Sequence, residues 1–172
     1  MNTDPRFPIG KPELEETLTP AKRLQHIETI ADLRAAIKGL TDIQLDTPYR
    51  EGGWSVRQVV HHLPDSHLNS YVRFKLALTE DQPTIKPYDE AAWASLPDSS
   101  NTPVEVSLQL LESLHTRWVQ LMKSLTPADF ARTFKHPERG AMNLDKNLCL
   151  YAWHGPHHIA HIQALRDRMG WQ

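Results

Sequence analysis

The sequence predicts an all-α protein, a four-helix bundle with long connecting loops. Three observations lead there: apolar residues recur at helical spacing in four long segments, proline- and glycine-rich stretches separate those segments, and no run alternates with period two for long enough to build a sheet. A chain of 172 residues is large enough for one core and cramped for two, so residues 1–172 read as a single domain.

Residues 1–18, with Pro5, Pro8, Gly10 and Pro12, cannot hold a regular element and read as an extended arm laid over the domain. Thr19 caps a first helix with Pro20 at its first position; Leu24, Ile27, Ala31, Ala35 and Ile37 follow at mostly helical spacing until Gly39 ends it. The connection TDIQLDTPYREGG is rich in turn formers. Ser55 and Gln58 then form a capping box that opens a second helix, running to about Thr79. The segment EDQPTIKPYDEAAWASLPDSSNTP holds four prolines and is long for a loop in a small domain, the kind that covers a site as a lid. A third helix starts after Pro103 and carries Val106, Leu110, Leu114, Trp118, Leu121 and Leu125. A turn at Thr126 and Pro127 leads through FARTFKHPERGAM, where a short hairpin-like excursion fits, to a fourth helix from about Leu144 to Met169, stopped by Gly170.

Composition removes several function classes. Lysine and arginine number 19 against 21 acidic residues, a formal charge of -2, and the basic residues are scattered, which is not the footprint of a nucleic-acid binder. The single cysteine, Cys149, excludes an intrachain disulfide; it lies in an apolar helical stretch with no base at a diagnostic spacing and reads as core. The N-terminal residues lack the basic and apolar regions of a signal peptide, and no window approaches the roughly 18 apolar residues of a membrane span. The expectation is a cytoplasmic protein acting on a small molecule.

Histidine is the unusual component. Of ten, seven fall in two windows: His61, His62 and His67 on the second helix, and His154, His157, His158 and His161 on the fourth. Spacing of four puts two imidazoles on one helix face, so the pairs His154/His158 and His157/His161 compete as chelators. The apolar stripe chooses between them. At about 100° per residue, Tyr151, Ile162, Leu165 and Met169 point close to His158, with His154 roughly 55°, His161 roughly 75° and His157 roughly 115° from the stripe centre. The inward pair is His154 and His158. On the second helix the stripe of Val56, Val59, Val60 and Leu63 has His62 at its flank and His61 roughly opposite, so periodicity permits His62 and rejects His61. His67 lies beyond an interior proline, Pro64, and Pro156 interrupts the fourth helix between its histidines. Each histidine taken alone reads as an ordinary, locally satisfied helix residue. An inward pair plus a second cluster on another helix tips the balance to a metal site.

These stretches, LDTPYREGGWSVRQVVHHLPDSHLNSYVRFKLALTE, KPYDEAAW and YAWHGPHHIAHIQALRDRMGW, together with the PIG of residues 8–10, resemble the DinB/YfiT-like family, in particular its YfiT-like metal-dependent hydrolases. The resemblance implies a DinB-type four-helix bundle and one divalent metal held by three histidines, which fall here on His62, His154 and His158. It also implies a homodimer. Geometry selected two of those ligands; His62 rests mainly on the resemblance.

Three neutral imidazoles with no fourth protein ligand leave a position for water, the mark of a catalytic site, and both zinc and nickel suit the set. Zinc brings such a water to a pKa near ~7. Candidate proton-transfer groups are Asp65, three residues after His62, and Asp89 with its neighbour Glu90, although each also reads as a solvated carboxylate. Arg73 and Asn69 are placed to line the pocket, whereas Trp54, Tyr88, Trp93, Trp153 and Trp171 read as core or staple residues. Two other functions fit the same features: an S-transferase for a low-molecular-weight thiol, which would bind the metal as thiolate, and a non-catalytic metal-binding protein.

Overall fold

The computed structural model describes residues 4–14, 17–24 and 29–172. The order of elements is α1 (Pro20–Leu24), α2 (Thr29–Ile37), α3 (Asp42–Leu45), α4 (Val56–Thr79), α5 (Glu90–Ala94), α6 (Asp98–Asn101), α7 (Val104–Lys123), α8 (Pro127–Phe130), β1 (Thr133–His136), β2 (Gly140–Asn143) and α9 (Leu144–Met169). The predicted first helix corresponds to α1 and α2; Ile27, assigned above to its apolar face, lies outside the described residues. The bundle is made of α2, α4, α7 and α9, with α4 packed on α7 and α9, and α2 packed on the same two helices.

Local sequence explains where these helices begin and end. Ser55 accepts from the Gln58 N–H while the Gln58 side chain reaches back to Ser55, the reciprocal box expected at the start of α4. Asn143 caps α9 by accepting from the Lys146 N–H, and Gly170, at φ 65°, supplies the left-handed C-terminal turn. Both helices run through their interior prolines, Pro64 and Pro156. The chain between Phe130 and α9 forms the hairpin, antiparallel with Thr133 opposite Asn143.

The buried face of α7 differs from the expected row. Val106 and Leu110 are exposed, at 53% and 48%, while Leu108, Leu111, Leu114, His115, Trp118 and Met122 are buried. A row spaced strictly by four advances about 40° per step and winds off the contact face; spacing that alternates three and four stays on it. The same correction moves His115 into the interior.

The segment expected to be a proline-rich lid contains α5 and α6 and is fastened down. Thr84 bridges to Lys135 of β1 in parallel, the Ile85 N–H donates to the Lys135 carbonyl, and the Gln58 side chain of α4 donates to the carbonyl of Ala94. Ile85 is 3% exposed. Asp145, at the start of α9, receives both Nε and Nη2 of Arg23 at 2.7 and 2.8 Å and the N–H of Leu18 at 3.1 Å, and the guanidinium lies over Phe130. This buried ion pair ties α1 to α9. Among the described residues, no helix is long and apolar enough to cross a membrane.

The core has two apolar clusters. One centres on Phe74, Trp118, Phe134, Leu144 and Leu148, the other on Leu33, Val59, Val60, Leu63, Leu111, Ile162 and Leu165. Histidines are buried alongside them: His61, His62, His67, His115, His136, His157, His158 and His161 are each 9% exposed or less. Loss of hydration disfavours an imidazolium there, and burial pulls His62, His115, His157 and His161 down to about 4.

Asp145→Ala leaves a buried guanidinium without its carboxylate and should lower unfolding free energy by about 3–5 kcal/mol in chemical denaturation. Because the folded pKa of the buried histidines lies below the unfolded value near 6.5, the unfolded chain takes up protons first as pH falls. Stability should be full above about pH 6.5 and decline toward pH 4, each such histidine adding up to about 1.4 kcal/mol per pH unit within that window. Denaturation midpoints measured from pH 8 to pH 4 check this.

Candidate metal centre

The first half of α4 and the middle of α9 lie side by side, and this contact brings the two histidine windows together. His62, His154 and His158 each offer a ring nitrogen within 4.8 Å of the other two, and they are the group of three that meets this criterion among the described residues. The Nε2 atoms of His62 and His154 face each other at 3.2 Å. Two imidazoles bound to one tetrahedral zinc at 2.0–2.1 Å would have their nitrogens ~3.3 Å apart. The ring centroids of His158 lie 4.8 Å from His62 and 4.5 Å from His154.

Electrostatics also fit a cation. Burial, reinforced by neighbouring histidines, holds His154 and His158 well below the usual imidazole range, so both are neutral lone-pair donors at physiological pH. The Nδ1 atoms of both are buried with no hydrogen-bond partner among the described residues. The donor set therefore suits a borderline divalent ion such as zinc or nickel.

Three short segments wall the cluster. The turn before α4 is closed by the Tyr49 N–H donating to the Trp54 carbonyl and by a bridge between Pro48 and Ser55. It sets Trp54 4.8 Å from the His62 ring and stacked at 6.3 Å over His158, and sets Tyr49 4.1 Å from His161. The N-terminal arm is held by the Trp153 indole, which donates to the Gly10 carbonyl; Gly10 has φ 78°, a conformation glycine adopts without strain. The Cys149 thiol donates to the Glu13 carbonyl; half-buried and packed against the edge of the core, it also fastens the arm.

The second pair of α9 is buried as well, which the helical wheel did not anticipate for His157. That ring, 7% exposed, stacks on Trp153 at 4.1 Å and sits 6.0 Å from Phe7 of the arm. His157 and His161 face each other through Nε2 at 3.1 Å. The wheel places residues relative to one apolar stripe, whereas α9 is also covered by the arm and by the turn carrying Tyr49. His61 is likewise buried, under the start of α7, with its two ring nitrogens 2.7 Å from the Ser107 hydroxyl and 3.0 Å from the Thr102 carbonyl. Those contacts engage both nitrogens, and the burial differs from the outward position that the wheel gives His61. His67 pairs with His115 at 2.7 Å beneath His154. His115 stands outside both sequence windows and is found only once the face of α7 is drawn correctly.

The cluster lies between two cavities. His154 lines a larger one of about 520 Å3, together with Ser66, Arg73, Tyr88, Asp89, Glu90, His136, Arg139, Tyr151 and Trp153. His158 lines a smaller one of about 350 Å3, with Tyr49, Arg50, Trp54, His157 and His161. Tyr88 and Trp153 are thus cavity walls as well as packing residues, and Arg73 lines the pocket as expected. Asn69 instead donates to the Asp65 carbonyl along α4. Of the proton-transfer candidates, Asp89 and Glu90 line the larger cavity, and Asp89 caps α5 by accepting from the Ala92 N–H. Asp65 is half-buried, and burial with the nearby charge of Asp98 raises it to about 6.

Comparison with known proteins identifies the family and the fold. A family model described as DinB superfamily matches residues 25–162. A Bacillus mycoides (strain KBAB4) protein named "Putative metal-dependent hydrolase" is 58% identical, covering 98% of this chain and 99% of its own; an Oceanobacillus iheyensis protein with the same designation is 51% identical over 96% and 98%. Among solved structures, YfiT from Bacillus subtilis, described as "a probable metal-dependent hydrolase with an unusual four-helix bundle topology", superposes with a TM-score of 0.95 at 50% identity, covering 99% of this chain and all of YfiT. TT2238, a four-helix bundle protein, shares the fold at 22% identity with a TM-score of 0.60 over 85% of this chain and 99% of its own. The chain, a mostly helical four-helix bundle with a small hairpin and a histidine cluster suited to a metal ion, belongs to the DinB superfamily.

Proposed function

We propose that the protein is a metal-dependent hydrolase in which His62, His154 and His158 hold one divalent ion, zinc or nickel. The observation that carries this reading is the convergence of those three neutral imidazoles within 4.8 Å, with His154 lining a cavity large enough for a small molecule. The names of the relatives support it.

An ion bound there would supply a Lewis acid and a water of lowered pKa. The surrounding residues do the rest. Trp54 covers the His62 and His158 side and excludes solvent from it. The Tyr151 hydroxyl donates to the Ser66 carbonyl at 3.0 Å and lies 3.3 Å from the Ser66 hydroxyl, which in turn is 3.5 Å from His154 Nε2. This pair of hydroxyls fixes the wall beside His154, and with the Tyr151 proton committed to the Ser66 carbonyl it is the Ser66 hydroxyl that can donate to a polar substrate group. Glu90 and Asp89 share the cavity with His154 and Glu138, and of these carboxylates Glu90, free of a capping role, is the candidate for proton transfer. The reading includes a cytoplasmic homodimer; light scattering at the mass of one chain would remove the dimer.

Elemental analysis should find about one zinc or nickel per chain in protein purified without chelator. His62→Ala, His154→Ala and His158→Ala should each lose it, because two imidazoles make a much weaker site, whereas His157→Ala and His161→Ala should keep it. Metal retained in His154→Ala and lost in His157→Ala would assign the ion to the other pair. Hydrolysis of esters or amides by the loaded protein, against turnover of thiol and electrophile pairs, separates the hydrolase from the S-transferase.

A further inference from the structure

The larger cavity has a floor and a rim of different character. Its buried polar residues are Ser66, Arg73, His136 and Tyr151, at 5%, 9%, 8% and 4% exposure. Its carboxylates, Asp89, Glu90 and Glu138, are all exposed, as is Arg139. The one fixed charge on the floor is therefore the guanidinium of Arg73, and among the described residues it has no hydrogen bond and no ion pair. Other buried arginines here are treated differently: Arg23 is held by Asp145, and Arg57 by Asp42 and Asp46. None of the Arg73 nitrogens is sealed from solvent, so its guanidinium opens onto the cavity while the rest of the side chain is buried, and an anion entering the cavity can supply the charge that no carboxylate of the fold pairs with it.

His136 adds a second donor. Its Nδ1 accepts from the Glu138 N–H at 3.2 Å, which leaves the proton of the neutral ring on Nε2. Arg73 lies three helical turns after His62 on α4, roughly 16 Å along the axis, and helical side chains lean toward the N-terminus, which is the direction of the histidine cluster. A small molecule in the cavity can meet His154 at one end and Arg73 at the other.

We propose that the substrate carries an anionic group, a carboxylate or a phosphate, and that Arg73 binds it from the cavity floor with His136 as a second donor. The inference rests on the metal-dependent reading for which end of the molecule reacts, but the anion subsite itself is built from residues that are not metal ligands. A guanidinium suits this role because its planar fork pairs with two oxygens at once.

The test is binding of inorganic phosphate and of succinate, with uncharged succinamide as control, by calorimetry on the full chain at constant ionic strength. Metal-loaded and chelator-treated protein are both measured, together with Arg73→Gln, Arg73→Lys and Arg117→Gln. Arg117 lies against Tyr71, outside the cavity, and corrects for general loss of positive charge. The expected result is saturable binding of at least one anion and none of succinamide, weakened about tenfold or more by Arg73→Gln in both metal states and unchanged by Arg117→Gln. The better of the two anions names the group. Should Arg73→Gln not fold, Arg73→Lys carries the test, with weaker binding expected because an ammonium lacks the fork. Equal affinity in wild type and the Arg73 variants, equal loss in Arg117→Gln, or no anion binding at all overturns the subsite. Arg73-dependent binding in a protein that takes up no metal would leave the subsite standing and remove the hydrolase reading.

Discussion

The structure depends on keeping a set of imidazoles neutral in the interior of a helical bundle. Apolar clusters around Trp118 and Phe74, and around Leu63 and Leu111, flank rings that are largely withdrawn from water. Burial disfavours the charged form of each ring, and this one effect has two consequences: it makes His62, His154 and His158 lone-pair donors at physiological pH, and it couples the fold to acid. A divalent ion would supply at once the positive charge that no single buried imidazole can carry.

Much of the chain outside the bundle serves to cover that interior. The arm, pinned by Trp153 and Cys149, closes over His157; the turn from Tyr49 to Trp54 closes over His161 and His158; and the segment from Thr84 to Glu90, bridged to the hairpin, forms the outer wall of the larger cavity. These pieces have few helical hydrogen bonds of their own and are held by side chains from α9 and by strand-like pairing. The buried Arg23 and Asp145 pair anchors the base of α9. The site is thus a property of two long helices and of the connections that would otherwise read as loose.

The bundle was legible because its signals are local: the Ser55 box, the Gly170 stop and the Leu144 to Met169 extent depend on neighbours in sequence. The pairing of His154 with His158 was legible from one apolar stripe on α9. What escaped depends on packing from several sides. A wheel assigns one inner face, so it left His61 and His157 outside although α7 and the arm bury them. His115 escapes a row spaced by four, which is not the contact face of α7, and helices of five and four residues such as α5 and α6 carry too little periodicity to stand out from loop. His62 could be tied to α9 only through the family resemblance, since spacing on one helix does not say which residue of another it meets.

The account is tested most directly by anomalous diffraction at the zinc edge from crystals of the protein loaded with zinc. It predicts one strong peak per chain, about 2.0–2.1 Å from a ring nitrogen of each of His62, His154 and His158. A peak bridging His157 and His161 instead, or no peak in protein exposed to excess zinc, would contradict it.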